Sequence, residues 1–389
     1  MASSLTSRAM IDRLIGFDTT SRDSNLALIE FVRDYLGDLG IESRLTYDDD
    51  GRKANLFATL GPADRPGIVL SGHTDVVPVD GQEWQTDPFT VTETDGRLFG
   101  RGTSDMKSFV AVALALAPEF LARDLETPIH FAFSYDEEVG CIGVRRLIAD
   151  LENLPVRPRA CIVGEPTGMK VIAAHKGKKS YTCHVRGHEC HSSMTHTGVN
   201  AVEAAAEIVA FMKSLARRFR DDGPHDPQFD PPYTTVHTGT ISGGTALNIV
   251  PKDCSFEFEW RYLPDHDPDG IFAEVRAFAD SLLPEMRAVD PATGISFAPR
   301  SEIPGLSTDP ADAVTELAKS LSGANDSGKV SFGTEAGLFQ EAGIPTIVCG
   351  PGSIEQAHKP NEFVALEQVA LCEDFMRRLM DRVCARPAG

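Results

Sequence analysis

The chain has 389 residues, 42% of them hydrophobic and 24% charged, which suits a globular protein of two or three domains with a sizeable core. A formal net charge of −20 argues against nucleic acid or an anionic membrane as partner, since both need clustered Lys and Arg. The eight cysteines (141, 161, 183, 190, 254, 349, 372 and 384) include no Cys-x-x-Cys pair, so neither a thiolate zinc site nor a disulfide framework is expected. Reduced thiols fit a cytoplasmic protein. Residues 1–25 lack the pattern of a signal peptide, and the longest apolar run, Phe109 to Ala117, is too short to span a membrane.

Helical spacing covers Leu5 to Phe17 and Ala27 to Leu39, followed by strands near 43–47, 54–60 and 68–71. The Pro- and Gly-punctuated stretch 78–102 reads as a long connection leading into an apolar helix, about 106–117. Strands near 129–134 and 160–163 flank a helix ending about Leu151. This alternation predicts a mostly parallel sheet with helices on both faces. From Tyr181 the pattern changes to β-α-β-β-α-β. In Cys254 to Tyr262, Phe256, Phe258, Trp260 and Tyr262 alternate with charges, as in a half-exposed antiparallel strand. The expected division is 1–180 and 299–389 for an α/β domain, with 181–298 as an inserted α+β (ferredoxin-like) unit. Strands near 329–332 and 346–349 and a terminal helix at 366–383 complete the first domain.

The strand Ile68-Val69-Leu70-Ser71 runs into Gly72-His73-Thr74-Asp75. In open α/β sheets, ligands lie beyond the carboxyl ends of the strands, so His73 falls where chemistry is commonly placed, and Asp75 could hold its ring. Two other strands lead to Glu137-Glu138 and to Glu165. Asp105 stands at a loop-to-helix junction, and His358 lies in a late loop. Each has a plainer explanation: a helix cap for Asp105, solvated loop carboxylates for Glu137 and Glu138, a turn residue for Glu165, a structural role for His358. Gathered at one rim, however, the carboxylates would raise one another's pKa unless a cation were present. Two imidazoles and three or four carboxylates exceed what one zinc needs. They suit two divalent ions, Zn²⁺ foremost, with Co²⁺ or Mn²⁺ possible.

Ser71-Gly72-His73-Thr74-Asp75, Gly100 to Lys107, Asp136-Glu137-Glu138, Gly164-Glu165-Pro166-Thr167 and His358 together resemble the dinuclear-zinc M20 amidohydrolases and peptidases over nearly the whole chain. Within that family the likeness is greatest to the acetylornithine deacetylase branch, through Ala174-His175-Lys176-Gly177, Phe332 to Ala336 and Gly350 to Pro360. The resemblance implies that Asp105 bridges two metals, with His73 and Glu165 on one and Glu138 and His358 on the other. It also implies a cis peptide after Asp105, and Glu137 as general base with Asp75 orienting the imidazole. His191 matches an oxyanion-stabilising histidine supplied across a homodimer formed by the inserted domain. Asn248 and Arg261 resemble groups that bind a substrate carboxylate, though an ion pair with its strand neighbours would also explain Arg261. Gly333 and Thr334 look like substrate contacts. Glu335 is expected either to select a distal substrate ammonium, or to make a structural hydrogen bond or orient a metal ligand. The implied activity is hydrolysis of an N-acyl amino acid, foremost N2-acetyl-L-ornithine in arginine biosynthesis. Succinyl-diaminopimelate, another N-acyl amino acid or a small peptide are the alternatives, and a non-catalytic binding protein on the same fold is the reading from another class.

Overall fold

A computed structural model describes residues 5–384; the outermost residues of the expected first and last segments, 1–4 and 385–389, lie outside it. The chain divides into two compact units, the first comprising 1–174, 306–328 and 334–389, the second 175–305 and 329–333.

The first unit is built on a mixed sheet. Its strand order is Ser43–Tyr47, Ala54–Leu60, Ile129–Ser134, Ile68–His73, Ala160–Pro166, Thr346–Gly350, Ile172–His175 and Leu306–Ser307. The four strands at its heart are parallel, and antiparallel pairs flank them. Strands 68–73, 129–134 and 160–166 are buried at every position, which is why their sequences show no alternation. Helix Lys107–Ala115 is buried on all sides. It approaches the sheet so closely that a Cβ on Gly72 would meet the Met106 side chain at 2.7 Å, and one on Gly164 would fall 2.0 Å from the Phe109 ring. These two glycines, which precede His73 and Glu165, let the helix start between the strand ends. The Lys107 ammonium, buried within this packing, donates to the carbonyls of Leu14 and Phe17 near the C-terminus of helix Ser7–Ile15.

The first unit also departs from the sequence expectation. Thr92–Thr94 and Arg97–Phe99, inside the expected connection, form a small antiparallel sheet with Phe363–Ala365. Three-residue strands with a partner so distant in sequence leave no local pattern. Helix Ala313–Ser322, also unanticipated, carries both end signals: the Asp312 side chain accepts from Val314 N, and Gly323 is left-handed.

The second unit is a four-stranded antiparallel sheet, ordered Thr235–Gly243, Asp253–Tyr262, Gly177–Arg186, Gly294–Ile303. With helices Ala201–Asp222 and Pro268–Val289 it follows the β-α-β-β-α-β order. Cys254, Phe256, Phe258, Trp260 and Tyr262 are buried while the residues between them are not. The Asn200 side chain caps the first helix by accepting from Val202 N and Glu203 N. Strand 294–303 outruns its expected end at Ala298 because Pro299, which hides it in the sequence, sits at a register irregularity. No helix among the described residues is long and apolar enough to cross a membrane.

Candidate metal centre

Adjacent parallel strands deliver the first donors. His73 ends its strand level with Ser134, so the segment 135–138 that follows Ser134 emerges beside it. On the other side, Glu165 lies in strand 160–166, the second parallel neighbour of strand 68–73. Asp105 precedes helix 107–115 across a cis Asp105–Met106 peptide, as the resemblance implied. That helix has no side-chain cap, so the capping explanation for Asp105 falls away.

The Asp105 carboxylate lies between the two imidazoles. Oδ1 is 3.0 Å from His73 Nε2, and Oδ2 is 3.3 Å from His358 Nε2. Glu165 Oε1 is 3.7 Å from His73 Nε2, and Glu138 Oε2 is 3.0 Å from His358 Nε2. Donor atoms of His73, Asp105 and Glu138 fall within 4.8 Å of one another, as do those of His73, Glu137 and Glu165.

Two observations test whether this set suits cations. His73 Nδ1 is 2.9 Å from the Asp75 carbonyl, to which it donates, so in a neutral ring Nε2 turns a lone pair toward the oxygens of Asp105 and Glu165. Acceptors facing acceptors need a positive charge between them. Glu138 Oε1 is buried with no hydrogen-bond partner. The residues fit divalent ions.

The electrostatics agree. Burial, then the neighbouring Glu138 and Asp105 charges, push the Glu137 carboxyl up to about 8; burial and Asp105 push Glu138 up to about 7. Burial also raises Glu165 well above the usual carboxylate range. Hydrogen bonds to Asp105 and Glu138 lift His358 to about 10. Burial works against a charged His73, but Asp105 and its acidic neighbours outweigh it and raise the ring well above its ordinary value. Bound dications would reverse these shifts, because they favour carboxylate and neutral imidazole.

Asp75 does more than face the ring. Its carboxylate is 3.6 Å from His73 Nδ1, beyond hydrogen-bond distance, while the backbone carbonyl makes the bond. The carboxylate itself accepts from Ser21 Oγ (2.7 Å), Glu137 N (3.1 Å) and Glu138 N (3.3 Å), which anchors the loop that carries two acidic side chains of the site. Cys141 Sγ donates to Glu137 Oε1 at 3.3 Å. No sequence motif pointed to Ser21 or Cys141.

Glu335 is completely buried, with Oε1 accepting from Ser71 Oγ (2.6 Å) and Oε2 from Ser134 Oγ (2.8 Å). The structural hydrogen bonds given as one of the expectations for Glu335 are present, and the carboxylate ties together the two strands that lead to His73 and Glu137. Thr334 is likewise buried, and its hydroxyl accepts from Ala336 N at the start of helix Ala336–Glu341.

The remaining expected residues lie in the second unit. His191 is exposed and caps a short 3-10 helix by accepting from Ser193 N; its segment pairs with 248–249, and Ser192 N donates to the Asn248 carbonyl at 3.0 Å. Arg261 is half-buried opposite Lys178 and donates to Glu259 on its own strand, not to a carboxylate across the sheet. Gly333 is half-buried, its Cβ position 3.4 Å from the Lys176 carbonyl.

The fold and the donor set define a metal-dependent hydrolase. Residues 69–382 match the model of peptidase family M20/M25/M40, and the chain belongs to that family. It is 34% identical to an acetylornithine deacetylase of Pasteurella multocida, covering 93% of this chain and 92% of that one. A second acetylornithine deacetylase, from Myxococcus xanthus, is 35% identical over 97% of both chains. Among solved structures, an M20-family metallo-carboxypeptidase of Sulfolobus solfataricus superposes with a TM-score of 0.75 at 17% identity, over 96% of this chain and 98% of that one. A Bacillus subtilis protein described as a dinuclear metal-binding M20 peptidase gives 0.64 at 17% identity, over 97% and 99%.

Proposed function

We propose that the protein hydrolyses the amide of an N-acyl amino acid, foremost N2-acetyl-L-ornithine to ornithine and acetate. The observation that carries the reading is the Asp105 carboxylate lying between His73 and His358, each of which also faces a further carboxylate. The likeness to acetylornithine deacetylases over nearly the full length supports the substrate.

His73 and Glu165 would hold one ion, Glu138 and His358 the other, with Asp105 shared. The mixed nitrogen and oxygen donors favour Zn²⁺ and also admit Co²⁺ or Mn²⁺. Bound there, such ions bring the pKa of water toward neutrality and stabilise negative charge on a carbonyl oxygen. Glu137 stands within reach of His73 and Glu165, with Cys141 Sγ donating to its Oε1, and its carboxylate would accept a proton from the attacking water. It returns that proton to the leaving nitrogen, so that water and amide become carboxylic acid and amine. Asp75 fixes the backbone from which Glu137 and Glu138 project.

Arg261 is proposed to bind the substrate carboxylate, with Asn248 and Gly333 as further contacts and His191 as donor to the developing oxyanion. The second unit is proposed to form a homodimer. Support comes from the exposed apolar residues Met194, Leu247 and Ile249 around the His191 and Asn248 segments. Acidic charge and eight cysteines without a disulfide support a cytoplasmic setting. The test is to assay metal-reconstituted protein on N2-acetyl-L-ornithine, succinyl-diaminopimelate, neutral N-acetyl amino acids and a dipeptide, following amine release. Highest kcat/KM on N2-acetyl-L-ornithine is expected; preference for another member reassigns the substrate.

A further inference from the structure

Beneath the metal centre lies a charged network that no proposed catalytic step uses. Glu362 is completely buried. Its Oε1 accepts from three backbone amides of one loop, Gly102 N (3.1 Å), Ser104 N (2.8 Å) and Asp105 N (3.0 Å). Its Oε2 accepts from the buried Arg101 guanidinium at 2.7 Å, and Gly100 N donates to its backbone carbonyl. The loop ending in Asp105 is therefore wrapped around one carboxylate.

From Arg101 the network continues to the other side of the site. Arg101 Nη2 donates to Gln82 Oε1 (2.6 Å), and the Trp84 ring lies 5.1 Å from the guanidinium carbon. Gln82 Nε2 then donates to the carbonyl of His358 at 3.0 Å. That loop needs support. His358 (φ 64°) and Asn361 (φ 59°) are both left-handed without being glycine, and the His358 side chain is 53% exposed, so packing does not hold it. Gln85 N gives a second tie, to Asn361 Oδ1 at 2.8 Å.

We propose that Glu362, acting through Arg101 and Gln82, is a positioning residue that locks the Asp105 loop to the His358 loop and sets the affinity of the ion held by Asp105, Glu138 and His358. His73 and Glu165 need no such device, because they lie on adjacent strands of the central sheet. The network thus acts unequally on the two ions. This inference rests on the two-ion reading of the site.

The test titrates metal-stripped wild type, Gln82→Ala and Glu362→Gln with Zn²⁺ against a competing chelator, reading stoichiometry and stepwise affinity, with circular dichroism to verify the fold. Gln82→Ala changes a half-buried side chain outside the ligand set, so it keeps the test open if Glu362→Gln does not fold. Wild type is expected to bind two ions. In Gln82→Ala the first step is expected to stay intact while the second weakens by about 10–100-fold, the range for loss of a group that orients a ligand; Glu362→Gln, which also loosens the shared Asp105, is expected to weaken the second step more than the first. Two-ion wild type with variants of unchanged affinity, or with both steps weakened equally, overturns the proposal. A wild type that binds fewer than two ions overturns instead the two-ion reading beneath it.

Discussion

Replacing Asp75 with asparagine probes how the site is assembled. The carboxylate is fully buried and takes three hydrogen bonds, from Ser21 Oγ, Glu137 N and Glu138 N. A carboxamide keeps one acceptor oxygen and turns an NH2 group toward at least one of these donors. A hydrogen bond to a charged group contributes about 1.5–3 kcal/mol, and a buried donor left unmatched costs about 1–3 kcal/mol, so a loss of about 2–4 kcal/mol follows. Part of it is expected at the metal centre, because the displaced donors belong to the segment carrying Glu137 and Glu138. Chelator competition should show ion affinity reduced by about 10–100-fold, with kcat falling alongside. Ser21→Ala removes one donor and leaves the carboxylate its two backbone partners, so its effect should stay under about tenfold in the same assay. Wild-type ion affinity and turnover in Asp75→Asn would refute the anchoring role.

Three further outcomes follow from the geometry. Glu335→Gln should lower kcat/KM equally on N2-acetyl-L-ornithine and on a neutral N-acetyl amino acid, and cost about 1–3 kcal/mol of stability, because the carboxylate serves Ser71 and Ser134; a loss confined to the ornithine substrate would restore an ammonium-reading role. The melting-temperature gap between metal-loaded and metal-stripped protein should widen from about pH 5 to 8. Stripped protein keeps protons on Glu137 (about 8) and Glu138 (about 7), raised by burial above the ordinary carboxylate value, so as pH rises through those values its stability declines. Buried His130 and His175 titrate in the opposite sense but alike in both forms, so they cancel in the difference; a gap constant with pH would contradict the shifts. Finally, Gly164→Ala should unfold or badly destabilise the protein, since its Cβ would lie about 2 Å from the Phe109 ring; thermal melting near wild type would show that helix 107–115 can retreat.

What was legible in the sequence was the set of strand ends. Buried strands write themselves as unbroken apolar runs, and the polar residues that close those runs, His73, Glu137-Glu138 and Glu165, lie on adjacent parallel strands or in the segments that follow them. The β-α-β-β-α-β unit was equally plain, because Phe256, Phe258, Trp260 and Tyr262 alternate with charge. The supporting residues were not legible. Glu362 has no partner near in sequence: the amides and guanidinium that surround it lie about 260 positions away, and nothing in Pro360-Asn361-Glu362 distinguishes it from a surface acid. Ser21 and Cys141 act through side-chain hydrogen bonds that carry no motif. For Glu335 the motif left a substrate role and a structural one open, and the partners that support the structural one, Ser71 and Ser134, lie on strands distant in sequence.

The most direct measurement pairs metal content with turnover in Glu137→Gln. The two-ion site with Glu137 as proton carrier predicts two ions per chain in both proteins, release of ornithine from N2-acetyl-L-ornithine by wild type, and kcat lower by about 10²–10⁴-fold in the variant. Loss of an ion in the variant would make Glu137 a ligand, and wild-type kcat with both ions retained would leave the reaction without its base.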